Sequence, residues 1–265
     1  MTVTDRELLR RLHHVERERA RQVAEHVEPF DGGLAVLSPD LDEFWIANLL
    51  EVENPDLGAE QLVHLADELL GGRGMHHRLV VPNEPDNGDR LVDEFREVGW
   101  DIERNLFMVH RRDPQRDGVP ALEVSREEIA SLRLHVARQD PDFTPRAAEQ
   151  TLVHDARADE VAASRWFAAV EGGESASACV LYEAGGVGQV ETVITRKESE
   201  GRGLASGVVM AAVEASRQAG HELTFIVADA DDWPWKLYER LGFDGIGEHP
   251  SFLLKPPQLR GAESP

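Results

Sequence analysis

The chain of 265 residues predicts an α/β fold built on a mixed, α+β-type sheet. Three observations carry that expectation. Apolar strand segments and helical periodicity alternate through the second half of the sequence. A glycine-rich loop, EGRGLASG at 200–207, joins a strand to a helix. The first half also holds a faint copy of the same helix, turn and strand unit.

Taken in order, residues 1–28, MTVTDRELLRRLHHVERERARQVAEHVE, read as a charged amphipathic helix. They lack the apolar core and small-residue cleavage site of an export signal. AEQLVHLADELLGGRGMHHRLVVPNEP then supplies a helix, a glycine turn, a histidine, an apolar strand and an acidic loop. DEFREVGWD follows, and RRDPQRDGVPALEV at 111–124 interrupts the periodicity with charge, two prolines and a glycine. That stretch divides the chain into a lobe at 1–117 and a lobe at 118–265. The second lobe opens with two helical segments, SREEIASLRLHVARQ and TPRAAEQTLVHDAR, and continues with strands at SRWFAAVEGG, ASACVLYEAGG and GQVETVITR. After the glycine loop, Leu204, Val208, Val209, Ala212 and Val213 recur at helical spacing, and LTFIVADA is a continuous apolar strand. WPWKLYERLGF forms a short helix with Pro234 in its first turn, and SFLLK is the last strand. DEFREVGWD lies over WKLYERLGFD, with Phe95 opposite Tyr238, Gly99 opposite Gly242 and Trp100 opposite Phe243. The flanks agree as well, so the chain reads as a diverged duplication.

Composition narrows the function. Hydrophobic residues make up 41% and charged residues 29%, which are globular values, and no run is long enough to span a bilayer. A formal charge of -22 repels the phosphate backbone and argues against nucleic acid as a partner. Cys179, the sole cysteine, lies in an apolar strand and reads as a core residue. With no export signal, the expected location is the cytoplasm. The histidines show no i, i+4 pair with a third ligand, so no metal site is expected.

The glycine loop places free N–H groups and the positive end of a helix dipole around one point, a natural anion site. Gly201 and Gly203 permit close approach and positive φ. Arg202 either adds charge there or faces solvent. A P-loop is excluded because Leu204 and Ala205 follow Gly203 where Lys and Ser/Thr are needed. A dinucleotide fold is excluded because only 62 residues follow Gly203. A helix start with packing glycines and no ligand stays open.

Thirty-five residues beyond Gly203 stands Tyr238, in LYERLGF. The pairing resembles the GNAT superfamily of acyl-CoA-dependent N-acetyltransferases, whose loop Q/R-x-x-G-x-G/A stands here as Glu200-Gly201-Arg202-Gly203-Leu204-Ala205 and whose L-Y-x-x-x-G-F helix is Leu237 to Phe243. The resemblance covers about 120–256. It implies that the loop from Gly201 through Arg202, Gly203, Leu204 and Ala205 to Ser206 holds the pyrophosphate of coenzyme A. It implies too that Val193, Ile194 and Thr195 pair with the pantetheine arm, and that Tyr238 is the general acid. Glu200 departs from the usual Gln or Arg, and Asp231 stands where an asparagine is common. By the same resemblance the first lobe is a degenerate copy, with Phe95 in place of the tyrosine.

A phenol with a reference pKa of about 10 stays protonated at neutral pH and can donate as a thiolate leaves. Strand alternation puts Glu191 on the face of Val193 and Thr195, which makes it the candidate base. The acceptor pocket is expected against the helical pair at 132–152 and the other lobe. Asp140, Asp142 and Glu149 there read as solubilising charge more than as amine ligands. The expected activity is transfer of an acetyl group from acetyl-CoA to a primary amine, in a monomer or homodimer. The rivals are a catalytically silent CoA sensor and an interaction module without a cofactor.

Overall fold

The computed structural model describes residues 4–115 and 118–259. The division expected at 117/118 falls beside residues 116 and 117, which lie outside that set. In chain order the elements are α1 (Asp5–Val23), β1 (His26–Phe30), β2 (Gly33–Leu37), β3 (Leu49–Val52), α2 (Ala59–Leu69), β4 (Arg78–Pro82), α3 (Pro85–Glu97) and β5 (Asp101–His110). The second half continues with β6 (Leu122–Val124), α4 (Arg126–Ala137), α5 (Pro145–Val161), β7 (Ala163–Glu171), β8 (Glu174–Ala184), β9 (Val187–Thr195), α6 (Leu204–Gln218), β10 (Leu223–Asp229), α7 (Pro234–Arg240) and β11 (Phe243–Leu254).

All eleven strands join one mixed sheet in the order β1-β2-β3-β4-β11-β5-β10-β9-β8-β7-β6. Among the described residues only β3 with β4 and β9 with β10 run parallel. The order explains the internal repeat. β4 and β10 are equivalent, as are β5 and β11, yet β11 lies between β4 and β5 while β5 lies between β11 and β10. Each copy therefore lends its last strand to the other, and the long β5–β11 ladder from Phe243↔His110 to Leu253↔Asp101 joins them. The last strand is much longer than SFLLK. It begins at Phe243 and crosses Gly245 and Gly247 through a bulge. β1, β2, β3 and β6 are short strands for which no expectation was drawn.

Helices cover both faces. On one, α2 and α3 bury Leu62, Ala66, Leu91 and Phe95 against Leu50, Val80 and Phe252, and α6 and α7 bury Val208, Val209, Ala212 and Tyr238 against Cys179, Val190 and Ile226. On the other, α1, α4 and α5 set Val23, Ile129, Leu132 and Ala158 on Trp166, Val180 and Tyr182. Burying one large apolar side chain is worth about 1.5–3 kcal/mol, so these layers supply most of the stabilisation. Helix α1 starts at a capping box between Thr4 and Glu7 and crosses both copies. Its Arg19 pairs with Glu191 of the second copy and its Arg21 with Glu51 of the first. The charged helix expected at the start is thus a strap across the sheet.

Candidate active site

The parallel pairing of β9 with β10 stops at Val190↔Ile226, although β9 runs on to Thr195 and β10 to Asp229. Beyond that point the strands splay, and the edge of β9 facing β10 has no strand partner among the described residues. A bulge sits at the fork. The β8–β9 register shifts by one residue between Val180↔Glu191 and Ala178↔Ile194, and Thr192 takes φ 52°, the only positive φ at a described non-glycine residue. A left-handed conformation costs such a residue roughly 1–2 kcal/mol, so the surrounding ladder must hold it in place.

The splay opens into a cleft of about 1150 Å3, at the upper end for ligand sites. Val193, Ile194 and Thr195 form one wall, the turn from Glu200 to Ser206 another, and Asp232, Pro234, Leu237 and Tyr238 of the α7 region a third. The structure thus brings together nearly every residue expected of the site. Gly201 and Gly203 have φ 74° and 80°, and Gly203 is the N-cap of α6 with no side chain capping the helix. The first N–H groups of α6 therefore face the cleft unpaired, where an anion would satisfy them. Gly207 has another task. A Cβ there would strike the carbonyl oxygen of Val119, so this glycine lets the segment between the lobes lie on α6.

Tyr238 is 7% exposed, its ring edge-on to Phe243 at 6.3 Å, and among the described residues its hydroxyl has no hydrogen-bond partner. Burial, with Cys179 and Asp232 nearby, pushes its pKa well above the ordinary phenol range and keeps it a donor. The other tyrosine, Tyr182, faces the opposite side of the sheet beneath the Arg19 guanidinium, 4.4 Å from its ring centroid. Cys179 is fully buried, its Sγ donating to the Val208 carbonyl at 3.2 Å, and burial raises its pKa, as expected of a core thiol.

Two expectations need correction, and Arg202, left open above, takes a course of its own. Glu191 does not share a face with Val193 and Thr195, because the bulge at Thr192 adds a residue and reverses the alternation. It points to the α1 side, accepting from Arg19 Nη2 at 2.6 Å and from Gln189 Nε2 at 2.6 Å. Asp231 is exposed and stands outside the cleft. Its N–H donates to Asp229 Oδ1 at 2.8 Å, and the resulting turn presents Asp232 to the cleft instead. Arg202 lines the loop but spends its guanidinium on Glu171 and on the Glu198 carbonyl, at 2.9 Å for the latter. Asp142 and Glu149 are likewise occupied, by Lys255 at 2.8 Å and Arg138 at 3.2 Å, as solubilising charges would be.

The first copy has the same helix start but a closed one. The Ala59 N–H at the head of α2 donates to Glu94 Oε2 at 2.9 Å, and the Gly58 N–H donates to Gln61 Oε1 at 3.0 Å. Phe95, the counterpart of Tyr238, is fully buried and stacked on Phe252 at 4.0 Å. Its own side chains fill the place that the second copy leaves open.

Among the described residues, no helix is long and apolar enough to cross a membrane, and no group of three or more His, Cys, Asp or Glu is arranged to hold a metal.

The family model described as FR47-like protein matches residues 168–251. A functionally unknown conserved protein from Staphylococcus epidermidis ATCC 12228 superposes with a TM-score of 0.68 at 15% identity, covering 92% of this chain and 99% of that one. A GCN5-related N-acetyltransferase from Kribbella flavida superposes with a TM-score of 0.58 at 17% identity, covering 94% and 95%. A tandem GNAT protein from the clavulanic acid biosynthesis pathway gives 0.52 at 16% identity, covering 78% and 75%. At such identities the likeness is one of fold. No curated protein matches the sequence.

Proposed function

From a chain that carries an FR47-like GNAT domain in its C-terminal part and a GNAT-like fold over its length, we propose an acetyl-CoA-dependent N-acetyltransferase whose active copy is the second lobe, residues 118–265. The observation that carries it is the meeting of three features in one cleft: the uncapped start of α6, the unpaired edge of β9 and the hydroxyl of Tyr238.

The N–H groups at 204–206 suit a diphosphate, since they are donors at the positive end of a helix dipole with no competing side chain. The bare edge of β9 suits an extended amide-bearing arm, which would add to it as a strand does. The thioester of acetyl-CoA supplies the acyl group and the leaving thiolate. Backbone N–H groups near Val193, fixed by the bulge, favour the charge that develops on the carbonyl oxygen, an effect usually worth about 3 kcal/mol. The acceptor ammonium first gives up one proton, for which Glu191, on the α1 side of the bulge, is the proposed base. Its nitrogen then bonds to the acyl carbon as the C–S bond breaks, the thiolate takes the Tyr238 proton, and a second amine proton leaves to restore the phenol. One proton is released per turnover.

A thermal shift with acetyl-CoA, followed by thiol release with an amine panel, tests this. Tyr238→Phe should keep the shift and lose roughly 10²–10⁴ in kcat; an unchanged rate refutes the acid assignment. A silent CoA sensor is the second reading, favoured by Glu200 beside the anion site and by Arg202 turned toward Glu171. It predicts the shift without turnover on any amine.

A further inference from the structure

On the other side of β9 lies a second cavity, about 220 Å3, between α1 and the central strands β5 and β11. Trp45, Ile46 and His154 close its sides. It meets the cleft at β9 alone: Glu191 lines the cavity, Val193 lines the cleft, and the bulge stands between them. A ligand in the cavity would face the thioester site from behind the strand.

The cavity holds polar atoms that the protein leaves unsatisfied. Arg17 has both Nε and Nη1 shut from solvent with no partner. Its nearest carboxylate oxygen, Glu16 Oε2, is 3.8 Å from Nη2, beyond hydrogen-bond reach. Arg19, 9% exposed, leaves its Nε unpaired, and His249, 1% exposed, leaves its Nε2 unpaired. His249 stacks on His13 at 3.7 Å, and burial together with the Arg17 charge holds both histidines below their ordinary pKa, so neither adds positive charge at neutral pH. Of the three carboxylates that line the cavity, Glu191 is engaged with Arg19 and Gln189 and Glu16 with Gln189 at 3.3 Å, while burial raises the pKa of the third, Glu103, which favours its neutral form. Buried donors are paired almost everywhere in folded proteins, and a set left open around a void marks the outline of a ligand.

We propose that this cavity is the acceptor pocket and that the acceptor is a small amine bearing its own carboxylate, an amino-acid-like zwitterion. The assignment rests on the acyl-transfer reading above. The carboxylate meets Arg17, whose Nε and Nη1 are free donors and whose Glu16 neighbour stands beyond hydrogen-bond reach. The ammonium lies toward Glu191 at the bulge, where the thioester carbon is reached. His249 Nε2 takes a further polar substituent. At the Arg17 end a diamine would set its second ammonium against a guanidinium, and the small volume excludes a folded protein surface.

Calorimetric titration of each proteinogenic L-amino acid, β-alanine and putrescine, and of the C-terminal amide of every amino acid that binds, decides the matter. The titrations are run on the full chain with and without CoA. At least one amino acid should bind, its amide at least tenfold more weakly, and Arg17→Gln should abolish the difference while leaving the thermal shift with acetyl-CoA intact. Arg17→Lys and His249→Asn serve if that variant fails to fold. Binding of no amino acid, equal binding of acid and amide, preference for putrescine, or an acid preference that survives loss of Arg17 overturns the proposal. Failure of acetyl-CoA to bind is a separate result: it removes the acyltransferase reading, whereas amino-acid binding still judges the cavity.

Discussion

Replacing Gly207 by alanine separates packing from ligand binding within the glycine loop. A Cβ at 207 would run into the Val119 carbonyl oxygen and lie 3.1 Å from its carbonyl carbon and 3.2 Å from Cγ2. The backbones already lie close together, for a Cβ built on the facing Gly118 would stand 2.5 Å from the Gly207 nitrogen. Two backbones must therefore part, an overpacking cost at the upper end of about 1–3 kcal/mol. At roughly 2–4 °C per kcal/mol for a chain of this size, Gly207→Ala should melt about 6–12 °C lower. Gly203→Ala meets nothing nearer than Val119 Cγ1 at 4.0 Å, so its cost is the left-handed φ of 80° alone, about 1–2 kcal/mol. Thermal melts with and without acetyl-CoA read both effects. Gly207→Ala should lose stability and keep the ligand-induced rise, while Gly203→Ala should lose less stability and most of the rise. The reverse pattern, or equal losses in both, refutes the division of labour.

Glu191→Ala leaves Arg19, 9% exposed, without its carboxylate. Unfolding stability should fall by about 3–5 kcal/mol, and Arg19→Met in the same chain should recover most of it; no recovery would show that the pair is not the cause. Acid should weaken the fold through His77 and His249, whose burial lowers their pKa to about 4 from 6.5. Their contribution is complete above pH 6.5 and is lost as pH falls from 6.5 to 4, because the unfolded chain takes up protons that the native one refuses, on the order of 3 kcal/mol for each. Urea unfolding across that window should show a shallower pH slope in His77→Gln, and an unaltered slope would contradict the shift. Glu94→Ala frees the Ala59 N–H and should cost about 1 kcal/mol, yet calorimetry should still count one acetyl-CoA per chain. A stoichiometry of two would mean that the first copy is plugged rather than lost.

The spacing of Gly201, Gly203 and Tyr238 along the chain was enough to anticipate the cleft, because turn glycines, a helix start and a helical tyrosine are local features that short-range sterics impose. The duplication was legible for the same reason: α3 with β5 and α7 with β11 repeat one local pattern. What the tertiary structure alone decided is everything that depends on pairing between distant strands. FDGIGEHP, with two glycines and a proline, becomes part of β11 only because β5 pairs along it. Glu191 was assigned the wrong face because strand alternation assumes an unbroken ladder, and the extra residue at Thr192 exists only in register with β8. The open donors of Arg17 appear only when α1 is laid across both copies, for nothing in a charged amphipathic helix tells which arginine will be left beside a void. Local sterics are written along the chain; alternation, exchange and burial arise between segments, and only folding brings those segments together.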